Sequence, residues 1–361
     1  MKILMPALHY YPVVGGIETW TRNIAENVSK KAEVFVVTGR VKNRPNKEAA
    51  GGLRIFRTSF FTLSDLSRSP KIYTVSLLPC IFLKSLILMR QEKIDILHCQ
   101  GFLSSFLGFC LSVVTRVPYI TTVQRLEKKR NPLKNFIYRK AAFCIAASSA
   151  VKKNFEDIGV KKVAVIPNGV DLSRFENIKR QPREKFIVIT VARLEKVKGV
   201  EYLIRALVDT RCQPSELMVI GDGSRRKDLE NLVKQLKSED SVEFLGEIPN
   251  EKIPFYLAMA DCFVLPSIQE GFGIVVLEAQ AAGLPVVASG VGGILDLIED
   301  QKTGLLVEPG NVGQISEALF KIQSNPDFAK MLVENAKNVL PKYNWQNIAN
   351  RVYDIYQKVK R

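Results

Sequence analysis

Short runs rich in β-branched residues alternate with helix-period stretches along the whole chain, and that alternation leaves few folds open. In the first half, strands are predicted at 3–5, 34–38, 94–98, 119–122, 144–147 and 163–166, with helices near 17–30, 71–91, 102–116, 131–141 and 149–157. Pro167-Asn168-Gly169-Val170-Asp171 interrupts the pattern, and the polar stretch 173–185 reads as a linker. Strands then resume at 186–191, 217–220, 242–245, 262–265, 286–288 and 304–307. Helices fit between them near 199–209, 225–237, 251–260, 274–282 and 292–299, and the end is all helical, at 311–324, 326–339 and 345–360. Such alternation builds mostly parallel sheets covered by helices. At 361 residues the chain is long for one domain. Two doubly wound α/β domains account for it, 1–172 and 173–344, followed by the helical segment 345–361. Ligands of such sheets bind beyond the carboxyl ends of the strands, so the strand-to-helix loops are where chemistry is to be sought.

Composition narrows the class. With 47% hydrophobic and 24% charged residues, the chain has the make-up of a globular protein with a sizeable core. The cysteines Cys80, Cys99, Cys110, Cys144, Cys212 and Cys262 include no Cys-x-x-Cys pair, and the histidines are His9 and His98. Neither zinc spacing nor an imidazole cluster is available, so no metal site is expected and the thiols read as small packed hydrophobes. Pro6, His9 and Tyr10-Tyr11-Pro12 come too early for a signal-peptide core. Segments 75–89 and 96–115 are the membrane-span candidates. The first is short and holds Pro79 and Lys84; the second holds His98, Gln100 and Gly101 and reads as strand, turn and buried helix. A cytoplasmic chain without a transmembrane segment is expected.

Charge is unevenly placed. Residues 1–175 carry 28 Lys/Arg against 11 Asp/Glu and residues 176–361 carry 24 against 25, so the net +16 lies in the first half. Its densest run holds Arg125, Lys128, Lys129, Arg130, Lys134, Arg139 and Lys140 against the single acid Glu127. Such a patch attracts nucleic acid, anionic lipid headgroups or phosphorylated substrates; the plainer alternative is a solvated basic face. No aromatic–basic interleaving or nucleic-acid reader motif accompanies it.

The chemistry concentrates in four loops. In Pro266-Ser267-Ile268-Gln269-Glu270-Gly271-Phe272-Gly273-Ile274, a predicted strand ends, Glu270 lies in the loop, and a helix carrying Glu278 begins after Gly273. The helix-start N–H groups near Phe272, Gly273 and Ile274 make an anion site. Two carboxylates beside it suit a ligand with sugar hydroxyls next to phosphate. The alternative is helix capping by Glu270 and a surface salt bridge for Glu278. Arg193 and Lys198 follow the strand at 186–191, and two cations there can neutralise a diphosphate. No Asp-x-Asp metal motif occurs, so those cations would take the role of a divalent metal. Gly15-Gly16 opens the first helix, where a backbone can approach phosphate closely, although a Gly-Gly pair is often only a turn. Gly221-Asp222-Gly223 forms a fourth strand-end loop.

These clusters, in this order, resemble the retaining glycosyltransferases with a Glu-x7-Glu signature, the glycosyltransferase family 4 type. Glu270 and Glu278 fit that signature, with Glu-Gly-Phe-Gly intact. Arg193-Leu194 with Lys198-Gly199, Pro167-Asn168-Gly169-Val170-Asp171, Gly221-Asp222-Gly223, Gly283-Leu284-Pro285-Val286-Val287 and Thr303-Gly304-Leu305-Leu306-Val307 also match. The resemblance runs from about residue 2 to the last helix. It implies the GT-B architecture, two Rossmann-like domains facing each other across a cleft. Residues 1–172, with 345–361 packing back on them, would form the acceptor side, and 173–344 the donor side.

The implied roles are specific. Glu270 would hold donor-sugar hydroxyls and Glu278 the ribose, with Gly221 also on the donor side. Arg193 and Lys198 would bind the diphosphate with backbone groups of Gly15, Gly16, Phe272, Gly273 and Ile274. The base would lie near Gly246 and Ile248. A hexose would pass from a nucleotide-diphosphate sugar to a glycan, lipid-linked or glycolipid acceptor with retention, and the co-substrate would need no cofactor or metal. The basic run would let the chain dock on an anionic membrane surface, with no nucleic acid partner. One departure stands out, since Gln124 occupies a position where relatives often have histidine. Gln124 can hydrogen-bond a sugar hydroxyl but cannot carry a proton. His98 would be either a sugar contact or a structural histidine. The alternatives are a catalytically silent relative or partner subunit, or nucleotide-sugar epimerisation on the same architecture.

Overall fold

A computed structural model describes residues 1–13, 15–59, 70–125, 131–176, 185–208 and 215–360. They fall into two compact units, Met1–Gly169 with the final segment from Trp345, and Val170–Asn344.

The first unit contains, in chain order, β1 (Lys2–Pro6), α1 (Gly16–Val28), β2 (Glu33–Thr38), β3 (Lys47–Ala50), β4 (Leu53–Arg57), α2 (Pro70–Glu92), β5 (Ile96–Gln100), α3 (Gly101–Thr115), β6 (Tyr119–Val123), α4 (Pro132–Lys140), β7 (Phe143–Ala146), α5 (Ser149–Asp157) and β8 (Val163–Val165). The sheet order is β3-β4-β2-β1-β5-β6-β7-β8. Every pairing is parallel except the β3–β4 hairpin at the edge. β5 and β6 are buried at every position, as central parallel strands covered on both faces must be.

The second unit contains β9 (Phe186–Val191), α6 (Val200–Val208), β10 (Ser215–Ile220), α7 (Arg226–Gln235), β11 (Val242–Gly246), α8 (Ile253–Ala258), β12 (Cys262–Leu265), α9 (Ile274–Ala281), β13 (Val286–Ser289), β14 (Leu305–Val307), α10 (Val312–Ser324) and α11 (Pro326–Val339). Its six strands, ordered β11-β10-β9-β12-β13-β14, all run parallel. α12 (Trp345–Lys360) then returns to the first unit. Its residues Ile348, Val352 and Tyr356 join Trp20, Ile24 and Val28 of α1 in one core on one face of the first sheet. α2, α3 and α4 cover the other face through Leu77, Ile81, Leu107, Leu111 and Ile137.

The expected class, two parallel-sheet α/β units, is the observed one. In each sheet the chain winds outward in both directions from one strand, and the switch points lie at β1/β5 and β9/β12. Three local differences have physical causes. β3 and β4 were not among the predicted strands: the edge strand β3 is Lys-Glu-Ala-Ala and mostly exposed, whereas β4, with Leu53, Ile55 and Arg57 buried in alternation, carried a period-2 signal that the sequence reading missed. The predicted helix 292–299 is a short 3-10 turn, Gly292–Asp296, with Gly292 at φ +53 where it passes the Glu270 backbone. Segment 96–115 divides into β5 and α3 at Gly101, φ +66. Among the described residues, no helix is long and apolar enough to cross a membrane. Cys80, Cys99, Cys110, Cys144 and Cys262 are free thiols, and Cys212 lies outside the described residues.

Candidate active site

In the second unit, the loops that follow β9 and β12 leave the two strands that flank the switch point. They are tied together, with the Ile268 N–H donating to the Val197 carbonyl at 2.8 Å. Glycine makes that approach possible. A Cβ on Gly199, at φ +62, would stand 2.2 Å from the Pro266 carbonyl oxygen, and one on Gly292 would stand 1.8 Å from that of Glu270. The Glu270 loop is thereby clamped between two backbones, with Gly293 N–H donating to the Glu270 carbonyl.

This clamp presents one carboxylate. Lys198 Nζ donates to Glu270 Oε2 at 2.6 Å, with side-chain exposures of 17% and 12%. Ser267 Oγ reaches the same oxygen at 3.5 Å, and the Gly271 N–H donates to Oε1 at 3.1 Å. Glu270 does not cap α9; Gly273, at φ +90, holds the capping position without a side-chain bond. Phe272 is buried beside it, and the first N–H groups of α9, from Ile274, have no carbonyl within the helix to bond.

Glu278 faces inward from α9 and is 8% exposed. Arg174 Nη1 donates to its Oε1 at 3.4 Å. Burial raises the Glu278 carboxyl above the ordinary range, and Arg174 partly opposes that. The surface salt bridge considered for Glu278 is therefore a buried one. Arg193 is engaged differently. Its side chain is 59% exposed and pairs with Glu195 at 2.5 Å on its own loop, apart from the Lys198–Glu270 pair. Gly221 N–H donates to the Gly246 carbonyl at 2.8 Å, which joins the two strand-end loops, and Ile248 is half-buried just beyond.

In the first unit, Gly15 caps α1 in an extended conformation. The Gln124 Oε1 lies 3.4 Å from where a Cβ on Gly16 would be, and Gln124 Nε2 is buried without a hydrogen-bond partner among the described residues. His98 was left open between a sugar contact and a structural histidine, and its surroundings favour the second. It is fully buried, with Nδ1 2.6 Å from Tyr356 Oη and Nε2 2.9 Å from Thr122 Oγ1. Burial lowers it to about 3. With both ring nitrogens occupied in the core it has no face for a sugar, and it is a structural histidine. Of the basic run, Arg125, Arg139 and Lys140 are exposed, and Lys134 lies over the Phe102 ring at 5.1 Å. Lys128, Lys129 and Arg130 lie outside the described residues.

The family models agree with this division. Residues 14–174 match the model described as Glycosyltransferase Family 4, and residues 173–339 match Glycosyl transferases group 1. An uncharacterized glycosyltransferase of Methanocaldococcus jannaschii is 30% identical over 99% of this chain and 98% of its own. This chain belongs to the glycosyltransferases. Solved structures share the GT-B fold of this glycosyltransferase. Sucrose-phosphate synthase of Thermosynechococcus elongatus superposes with TM-score 0.83 at 23% identity, covering 99% of this chain and 98% of that one. HepE of Anabaena, solved with UDP-glucose, gives 0.79 at 22% identity, covering 99% and 100%.

Sequence reasoning missed three residues that shape the glycosyltransferase site. Gly292 carried no signal beyond being half of a Gly-Gly pair. Ser267 was read only as part of the loop. Arg174 lay in what read as linker, and its one signal was Asp171, whose Oδ1 accepts from Ser173 N–H at 3.2 Å and shapes the 3-10 turn Leu172–Phe175 that carries it.

Proposed function

We propose that this glycosyltransferase moves a hexose from a nucleotide-diphosphate sugar to a glycan, lipid-linked or glycolipid acceptor, with retention and without a metal. The observation that carries the reading is the Lys198–Glu270 pair at the β9/β12 switch point. A cation that can turn to a diphosphate stands next to a carboxylate that can accept sugar hydroxyls, which is the juxtaposition of groups in a nucleotide sugar. Arg193, exposed on the same loop, supplies a second cation once it leaves Glu195. Glu278 takes the ribose, and the Gly246–Ile248 loop lies against the base. In the transfer step the bond from the anomeric carbon to the diphosphate oxygen breaks. The acceptor oxygen bonds to that carbon on the same face, and its proton passes to the departing phosphate oxygen. Lys198 and Arg193 stabilise the charge that develops there.

The test is a panel of UDP, GDP and ADP with their sugars, read by calorimetry on the wild type and Glu278→Ala. One series binding tightly, weakened by the substitution and indifferent to EDTA, is expected. HepE was solved with UDP-glucose, so the UDP series comes first. Product anomers, read by NMR, decide retention. Failure of every series to bind would favour a silent relative, and Gln124, whose buried Nε2 has no partner among the described residues, would be the first residue to examine, by Gln124→His.

The acceptor is proposed to be reached from a cytoplasmic, peripheral position on an anionic membrane. Six of the twelve large apolar side chains exposed among the described residues are Leu83 and Ile87 on α2, Val113 and Val114 on α3, and Leu133 and Phe136 on α4. α3 carries no charge along its length. A groove of about 510 Å³ between α2 and α3 is lined by Leu86, Met89 and Val114 beside Arg90, Lys93 and the single acid Asp95, which Lys360 pairs, and Lys140 lies over the Phe136 ring. Apolar side chains flanked by cations match acyl chains beneath anionic headgroups.

A further inference from the structure

Arg174 is the one cation seen at Glu278 among the described residues, and it touches a second part of the same region. Its Nη1 donates to Glu278 Oε1, while Nη2 donates to the Asn250 carbonyl. Asn250 closes the Gly246–Asn250 loop, and Glu278 lies on α9. One guanidinium therefore ties the loop assigned to the base to the carboxylate assigned to the ribose. The side chain is itself braced, standing over the Phe175 ring at 5.7 Å, and Phe175 is buried. The 3-10 turn that carries both is capped by Asp171, which also accepts from Ser173 Oγ at 2.7 Å.

We infer that Arg174 is a positioning residue for nucleotide binding, holding the Glu278 carboxylate oriented so that it accepts the ribose hydroxyls. This deepens the donor-site reading and rests on it. The physical need is clear. A carboxylate so buried favours its neutral form, and a neutral carboxyl gives a ribose one acceptor fewer and a donor that the ribose hydroxyls do not need. A guanidinium anchored to a backbone carbonyl on one side restricts where the Glu278 Oε1 it holds can sit, because its fork is rigid. The bond falls on Oε1 alone, which leaves Oε2 for the ligand.

The measurement is calorimetric binding of UDP, ADP and GDP, and of their 2′,3′-dideoxy analogues, to wild type, Arg174→Ala, Arg174→Lys, Glu278→Ala and the double variant. Arg174→Ala is expected to weaken the preferred natural nucleotide on the order of 10-fold or more, with partial recovery in Arg174→Lys. The 2′,3′-dideoxy analogue should bind wild type and Arg174→Ala alike. Adding Arg174→Ala to Glu278→Ala should cost little more, since the two act through one contact. Equal weakening for natural and dideoxy nucleotides would overturn the inference and leave Arg174 a brace for the fold. Unchanged binding in Arg174→Ala would overturn it too. If the wild type binds none of the three nucleotides, the donor-site reading itself falls and takes this inference with it. That outcome is distinct from tight wild-type binding that ignores Arg174.

Discussion

At the scale of single residues, the site is an arrangement of backbones before it is one of side chains. Lys198 and Glu270 meet because Gly199 and Gly292 let neighbouring loops pass within contact of their carbonyls. Gly292→Ala should therefore loosen the Glu270 loop at a cost of about 1–3 kcal/mol, seen as a lowered denaturation midpoint with transfer activity falling further than stability. Lys198→Ala and Glu270→Gln should each leave the fold intact while lowering kcat by about 10²–10³-fold, measured with saturating donor. His98 makes a different prediction. It is buried neutral, lowered to about 3 from an ordinary 6.5, so below pH 6.5 the unfolded chain takes up a proton that the folded chain refuses. Stability should fall as pH drops from about 6.5 towards 3, and His98→Gln should flatten that slope in acid denaturation curves. How far these residues were legible depended on the kind of signal. Glu270 and Lys198 stood out as charged groups in strand-end loops, and Glu278 as a carboxylate on the helix that follows, whereas Gly292 and Arg174 act through distances that only the folded chain defines. His98 looked open because a strand end says nothing of the Tyr356 hydroxyl arriving from the far end of the sequence.

At the scale of elements, most strands and helices followed from periodicity, because central parallel strands are apolar runs and their covering helices are amphipathic. The exceptions were marginal elements. β3 pairs only along one edge with β4, and its Lys-Glu-Ala-Ala sequence has neither alternation nor β-branching. α12 shows what periodicity does reveal and what it does not. Its apolar stripe of Ile348, Val352, Ile355 and Tyr356 marks a helix that needs a partner, while α1 as that partner is a tertiary fact. Ile348→Ala should cost about 2–5 kcal/mol, since the side chain is fully buried. Chemical denaturation should show that loss in the transition of the first unit, with nucleotide affinity retained by the second.

At the scale of the whole molecule, the charge imbalance was plain in the sequence, but its apolar complement was hidden. Segments 75–89 and 96–115 read as candidates for crossing a membrane or for burial, and the folded chain instead leaves Leu83, Ile87, Val113 (66% exposed) and Val114 on the surface. Binding to vesicles with anionic lipid should exceed binding to neutral ones and weaken with added salt. Val113→Ser with Val114→Ser should reduce it further while UDP-series affinity stays unchanged, read by flotation and calorimetry. The path of the chain has its own consequence. Val170 N–H donates to the Tyr343 carbonyl at 2.8 Å and Val170 is bridged to Asn344, so the second unit begins and ends at one point and is inserted within the first. A ribosome makes the first unit's sheet early, but the α12 side chains that seal its core emerge only after the whole second unit. The later-encoded unit can therefore complete its fold while the earlier one waits, reversing the usual amino-to-carboxyl order of domain folding.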